Sequence, residues 1–150
     1  MSYESPPHAG ALEDWTTGKL LTAAARLVEH AFDTAIAELG VTHAGINVLD
    51  ALADGPLTQH RLAARCAVQD QTMSRILAGL ERAGHIVRSR DAGDRRRVIV
   101  ERTALGKEVR DRAYEVGRRL NLFENDTEED RACREALVKL ISKLKPCPWA

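Results

Sequence analysis

Between Leu57 and Glu101 the chain reads LTQHRLAARCAVQDQTMSRILAGLERAGHIVRSRDAGDRRRVIVE, and the order of its patterns leaves little choice of fold. Thr58 can cap a short helix whose apolar residues are Leu62, Ala63 and Cys66. After Ala67-Val68, a longer segment from Gln69 to Ala83 carries Met73, Ile76, Leu77 and Leu80 at steps of three and four, the period of one helix face. Gly84 stops it. Ile86–Arg90 and Val98–Arg102 are short strand-like runs joined by the turn Asp91-Ala92-Gly93-Asp94, and together they read as a hairpin. Helix, turn, helix and a hairpin holding the arginine-dense loop Ser89–Arg97 is the layout of a winged helix-turn-helix. Such a unit reads duplex DNA.

The flanks are helical. From about Leu12 to Leu39 the residues Leu20, Ala24, Leu27, Val28, Ala31, Ala35 and Leu39 form one stripe, ended by Gly40. Thr42 can cap a second helix carrying Ile46, Leu49 and Leu52, closed at Asp54-Gly55-Pro56. Thr103 begins another, with Leu105, Val109, Ala113, Val116, Leu120 and Phe123 at helical spacing, broken at Asn125-Asp126. Thr127, with Asp130 three residues on, starts the last helix, which carries Cys133, Leu137, Leu140, Ile141 and Leu144 before Pro146. The expected fold is mostly α with a small β-hairpin wing. Its parts are a flexible arm (1–10), an N-terminal helix (11–40), the winged helix-turn-helix lobe (41–103), C-terminal helices (104–145) and a tail (146–150). A first helix of about 28 residues would span about 40 Å. With the two C-terminal helices it exceeds what so small a lobe can cover, so a second copy of the chain is the simplest partner for the apolar stripes.

Charge sharpens this reading. The net charge of the 150 residues is zero, yet residues 1–57 carry −6 and residues 58–102 carry +5. The basic excess therefore sits on the motif, as a phosphate-contacting surface requires. Three cysteines, Cys66, Cys133 and Cys147, form no CxxC pair and imply no disulfide framework. Cys66 reads as a small packed hydrophobe. The five histidines show no helical HxxxH pair and no His/Cys cluster, so neither a metal nor another cofactor is expected. No glycine-rich phosphate loop or nucleophile elbow appears, which argues against an enzyme. With no secretory leader at the N-terminus and no apolar run near the ~20 residues of a membrane span, the expected location is the cytoplasm.

The candidate DNA-contacting residues follow from the lobe. Gln69, Gln71, Thr72, Ser74 and Arg75 stand on the first turns of the second helix, away from its apolar face. Their amides, hydroxyls and guanidinium are the groups that bond base edges in a major groove. Asp70 stands among them, either accepting from a cytosine amino group or offsetting the helix dipole; the dipole role is favoured. Thr58 and Gln59 begin the first helix. Arg95, Arg96 and Arg97 follow the turn bracketed by Asp91 and Asp94; alternation along a strand would keep the three from facing one way. One is expected to reach a minor groove or phosphate, and another to be fixed by Asp91 or Asp94 in an ion pair.

The block from Thr58 to Val109 resembles the multiple antibiotic resistance regulator (MarR) family. Its Asp91-x-x-Asp94-Arg95-Arg96 wing, followed by Thr103 and Gly106, is similar to that family's most specific signature, and the likeness extends over most of residues 12–145. Gln69 stands where many members have a capping serine, and Glu101-Arg102-Thr103 replaces a more usual Arg-Leu-Thr. The resemblance implies a homodimer with interlocked terminal helices, a recognition helix at Gln69–Ala83 and a wing at Arg88–Val100. It also implies a regulator, more often a repressor, that binds a palindromic operator and answers to a small phenolic or lipophilic ligand. Trp15, Arg26, His30 and His43 lie in segments that would border the ligand cleft. The rival readings are a winged helix that docks on an acidic protein and a thiol-based redox regulator.

Overall fold

Threonines open most of the helices. The computed structural model describes residues 10–120 and 127–144. Its helices are α1 (Thr17–Ile36), α2 (His43–Ala51), α3 (Gln59–Arg65), α4 (Asp70–Arg82), α5 (Ala104–Leu120) and α6 (Glu128–Lys143), and its strands are β1 (Leu57–Thr58), β2 (Ile86–Arg90) and β3 (Val98–Arg102). The hydroxyls of Thr16, Thr42, Thr58 and Thr127 each accept from the backbone N–H three residues on, which satisfies one of the orphan donors of a first turn.

The first helix is shorter than its stripe suggests. Leu12–Asp14 form a separate 3₁₀ turn, Trp15 and Thr16 are extended, and α1 runs for 20 residues, about 30 Å. Thr16 is the cause, since its capping hydroxyl favours a break in the chain over an unbroken helix. At the other end Ala37–Leu39 tighten into 3₁₀ before Gly40 turns left-handed at φ 68°. The buried face also differs from the stripe. Ile36 is fully buried and Phe32 packs on the core beside it, whereas Leu20 and Leu27 are 39% and 69% exposed. Phe32 meets α5 at Gly117, where an added Cβ would lie 2.8 Å from its ring. The last residue of the α5 stripe, Phe123, lies outside the described residues, as do the break at Asn125-Asp126, Pro146, Cys147, the tail and all but the end of the arm.

The core lies inside the lobe. Ile46, Val48, Leu49 and Leu52 of the α2 region meet Leu62 and Ala63 of α3, and Met73, Leu77 and Leu80 of α4 close on them. Ile86, Val100, Val109 and Ala113 seal the other side. Each large side chain so buried contributes roughly 1.5–3 kcal/mol. The strands pair antiparallel in the order β1-β3-β2, with Ile86 opposite Arg102 and Arg90 opposite Val98. The two-residue strand β1, which sequence patterning does not reveal, places Leu57 opposite Val100.

One knot joins α4, the sheet and α5. Gly84 sits at φ 77°, a conformation only glycine adopts freely, and so lets the chain leave α4 for β2. The Thr103 hydroxyl donates to the Gly84 carbonyl at 2.6 Å and accepts from Gly106 N–H at 3.0 Å, while Thr103 N–H donates to the His85 carbonyl at 3.0 Å. His85 is buried at 6% exposure, and its Nδ1 has no hydrogen-bond partner among the described residues. Burial holds its imidazole below the ordinary histidine value. The folded state thus prefers the neutral ring. Stability from this group is whole above about pH 6.5 and drains away as pH falls from there toward the lower folded value. The urea midpoint should drop between pH 7.5 and pH 5.5, and it should drop less in His85→Leu. An equal drop in both would remove His85 as the cause.

A second junction gathers three arginines at the C-terminal end of α2. Arg65 of α3 donates to the Ala51 carbonyl at 3.3 Å, and Arg102 of β3 donates to the Leu49 carbonyl at 3.1 Å. Arg110 of α5 donates to the Asp50 carboxylate at 2.6 Å, and the Tyr114 hydroxyl donates to the other Asp50 oxygen at 2.6 Å. The guanidinium of Arg110 also lies 4.3 Å from the Tyr114 ring centre. The bonds to Asp50 and Asp111 raise Arg110 above its ordinary value, and the bond to Asp50 with burial raises the Tyr114 phenol. Cations suit this end of a helix, where carbonyls are left over and the dipole is negative.

Candidate nucleic-acid interface

The α4 helix turns its apolar residues into the core and leaves its polar ones outside. On α4 the buried residues are Met73, Leu77 and Leu80, so Asp70, Gln71, Thr72 and Arg75 stand exposed, with Ser74 half-buried at the edge. Gln69 is the residue before the first turn; its backbone carbonyl accepts from Met73 N–H, and its side chain makes no cap. The turn between α3 and α4 passes through Ala67 at φ 53°, a left-handed conformation that costs a non-glycine residue about 1–2 kcal/mol. Thr58 holds Arg61 N–H at 3.2 Å and fixes the start of α3, beside Gln59.

The wing is a structured loop. Asp91 N–H donates to the Arg97 carbonyl at 3.0 Å, and Arg97 N–H donates to the Asp94 carbonyl at 2.9 Å. The Asp91 carboxylate accepts from Gly93 N–H and the Asp94 carboxylate from Arg96 N–H, each at 3.0 Å. Both aspartates therefore build the turn through the backbone, the local bonding that suits this residue type to turns. Arg97 is the guanidinium that pairs with an aspartate, 3.9 Å from Asp91. Arg95, Arg96 and Arg97 stand exposed in the loop before β3 begins at Val98, so strand alternation does not govern them. Arg90 props the loop by donating to the Arg95 carbonyl at 3.1 Å. At the wing's base Arg88 grips the Glu81 carboxylate of α4 through two bonds of 3.0 and 3.1 Å, which lowers that carboxyl below its ordinary value.

These elements enclose a concavity of about 460 Å³ lined by Thr58, Gln59, His60, Arg61, Asp70, Arg96 and Arg97, with Val98 at its edge. The fold thus brings the α3 start, the α4 start and two wing arginines to one place. Gln71, Thr72, Ser74, Arg75 and Arg95 stand outside it. His60 and Arg61 also line this concavity, and the sequence reading did not single them out. Their signal was available: in the first turn of a helix that buries Leu62 and Ala63, these two residues must face out.

The other candidates are dispersed. Lys19 Nζ lies 3.9 Å over the Trp15 ring, Arg26 and His30 are exposed on α1, and His43 opens α2 with its ring edge-on to Phe32 at 5.2 Å. His43 N–H is held by the Asp33 carboxylate. Asp33 lines a cavity of about 350 Å³ between α1, α2 and α4, together with Ala37, Val41, Gly45, Ile76 and Leu80. None of Trp15, Arg26, His30 and His43 is among its lining residues. Cys66 is half-buried with its Sγ 4.0 Å from the Asn47 carbonyl, and burial pushes its thiol up, away from an activated thiolate. Cys133 is exposed on α6. Among the described residues no three His, Cys, Asp or Glu side chains gather as a metal site, and no helix is long and apolar enough to cross a membrane.

This geometry has known counterparts. The sequence profile of the MarR family matches residues 39–97, from the end of the first helical region to the last wing arginine. The crystal structure of MarR is 27% identical, with a TM-score of 0.75 over 90% of this chain and 94% of that one. The transcriptional regulator BldR from Sulfolobus solfataricus is 30% identical, with a TM-score of 0.68 over 84% of this chain and 94% of its own. The transcriptional repressor CouR, solved bound to a 23-mer DNA duplex, is 26% identical, with a TM-score of 0.72 over 93% of this chain and 99% of its own. With its mostly helical fold and small antiparallel sheet, the chain belongs to the MarR family of winged helix-turn-helix, DNA-binding transcriptional regulators.

Proposed function

We propose that the protein is a transcriptional repressor that works in the cytoplasm by binding, not catalysis, and that it grips a palindromic operator as a homodimer. The observation that carries this reading is the exposed row Gln71, Thr72 and Arg75 on α4, together with exposed wing arginines of which Arg96 and Arg97 share a concavity with Asp70 at the α4 start. Base-bonding groups on a helix next to phosphate-seeking cations on a hairpin suit a major groove and its flanking backbone. The similarity to CouR, a repressor bound to duplex DNA, supports the same reading. A winged helix that only docks on an acidic protein has no need of that amide and hydroxyl row. Selection from random duplexes tests the proposal: an enriched palindrome is expected, with half-sites about one helical turn apart. Enrichment of no sequence would return the docking reading.

The dimer is supported by what the described residues leave uncovered. None of the residues of α6 is buried; Leu137, Val138 and Ile141 are exposed along it and Leu144 just past its end. Leu20, Leu21 and Leu27 on α1 are exposed as well. Sedimentation should show a dimer at micromolar concentration, and Leu137→Glu with Ile141→Glu should give a monomer that binds operator at least about 100-fold more weakly, since it reads one half-site. A stable wild-type monomer would overturn the dimer.

Release by a small phenolic or lipophilic ligand is the third part of the proposal. The cavity between α1, α2 and α4 has a suitable size and a largely apolar wall, with the Asp33–His43 contact at its rim. Arg26 and His30 would contribute only along the exposed surface of α1, and Trp15 only from the segment before it. A ligand releases DNA only if it favours one arrangement of the two lobes over the other.

A further inference from the structure

The concavity between α3, α4 and the wing is lined by three arginines, Arg61, Arg96 and Arg97, one acidic residue, Asp70, and one histidine, His60. His60 Nδ1 lies 3.3 Å from both oxygens of Asp70. The two side chains are 84% and 63% exposed, so the pair faces whatever enters the concavity. A phosphate backbone arriving there meets three arginines, one of them paired with Asp91, and the Asp70 carboxylate. With a neutral imidazole, Asp70 opposes the phosphates. With an imidazolium, the pair is neutral, and while Nδ1–H stays on Asp70 the Nε2–H can donate to a phosphate oxygen.

We propose that His60 is a further DNA-contacting residue and that it meets the phosphate backbone as an imidazolium seated on Asp70, so that binding takes up a proton. This inference rests on the DNA-binding reading above. It gives Asp70 a role apart from the helix dipole and the cytosine contact considered from sequence: its carboxylate seats the His60 ring. Phosphates brought near the ring favour its charged form, and linkage makes the effect reciprocal, so protonation tightens DNA. Histidine changes charge between about pH 5 and 8, which places the effect in an accessible range. The acid response of buried His85 runs the other way, since protonation there destabilises the fold, and it cannot imitate tighter binding.

The test uses the full chain and a labelled mixed-sequence duplex of about 30 base pairs at constant low salt, because a phosphate contact needs no operator. Wild-type affinity should rise about tenfold from pH 8.0 to pH 6.0, and His60→Gln should flatten that rise to within about twofold. Asp70→Asn, which removes the opposing anion, should bind more tightly than wild type at pH 8.0 and show a smaller rise. Wild-type binding that ignores pH, or a rise that survives in His60→Gln, overturns the proton-linked contact while leaving DNA binding intact. Weaker binding of Asp70→Asn at both pH values overturns it in favour of a base-reading carboxylate. Failure of the wild type to bind any duplex overturns the DNA reading itself.

Discussion

Gly106→Ala should destabilise the protein by at least about 3 kcal/mol, more than an exposed helix substitution can. A methyl group at residue 106 would sit 2.1 Å from the His85 carbonyl oxygen and 3.0 Å from Arg102 Cγ. The Arg102 chain can shift, but the carbonyl cannot move freely, because it accepts the Thr103 N–H bond that ties α5 to the turn after α4. The substitution therefore forces α5 away from the sheet or breaks the Thr103 knot. Gly79→Ala is the control. That position is also helical, a Cβ there meets nothing within 4 Å, and the change should gain up to about 1 kcal/mol of helix propensity. Urea denaturation of the two variants should move the midpoint in opposite directions. An unchanged midpoint for Gly106→Ala would disprove the close approach.

Removing all three wing arginines, Arg95, Arg96 and Arg97, should weaken binding to any duplex by about 100-fold or more near 0.1 M salt. Each lost phosphate contact lowers the slope of log affinity against log salt by about 0.9, so up to about five units of slope should vanish from a dimer. Arg96 and Arg97 line the concavity and Arg95 does not, which predicts an unequal share for the single substitutions. Arg97→Ala also frees Asp91 and loosens the loop. Arg75→Ala offers the contrast, since a base-reading residue should change preference at one position by about 1–3 kcal/mol and leave the slope nearly intact. A triple variant with the wild-type salt slope would mean that the wing never touches phosphate.

Much of this was legible because the lobe is built from local rules. Threonine caps, helical spacing and the turn at Asp91–Asp94 place α2, α3, α4 and both wing strands nearly residue for residue. The departures come from tertiary packing, which no local pattern carries. Thr16 starts α1 later than the Leu12 its pattern suggests, and Phe32 is half-buried where it meets α5 at Gly117. Strand β1 has two residues, too few for an alternation to show. In the interface, the exposed row of α4 and the wing arginines could be read from composition and position. The meeting of His60 with Asp70 could not, because it depends on the angle between two helices joined through Ala67.

The three arginines gathered at the end of α2 bear on how far a disturbance can travel. They join α3, β3 and α5 to one helix end, so the lobe and the near half of α5 form a single stiff body. The 17 residues of α5 then make a lever arm of about 25 Å. A tilt of about 10° around its far end, near Arg118, moves the attached lobe by about 4 Å, comparable with the rise of one helical turn. Asp50 and Tyr114 form one of two ties in that lever, the Thr103 knot being the other, so cutting the first leaves α5 still held at its start.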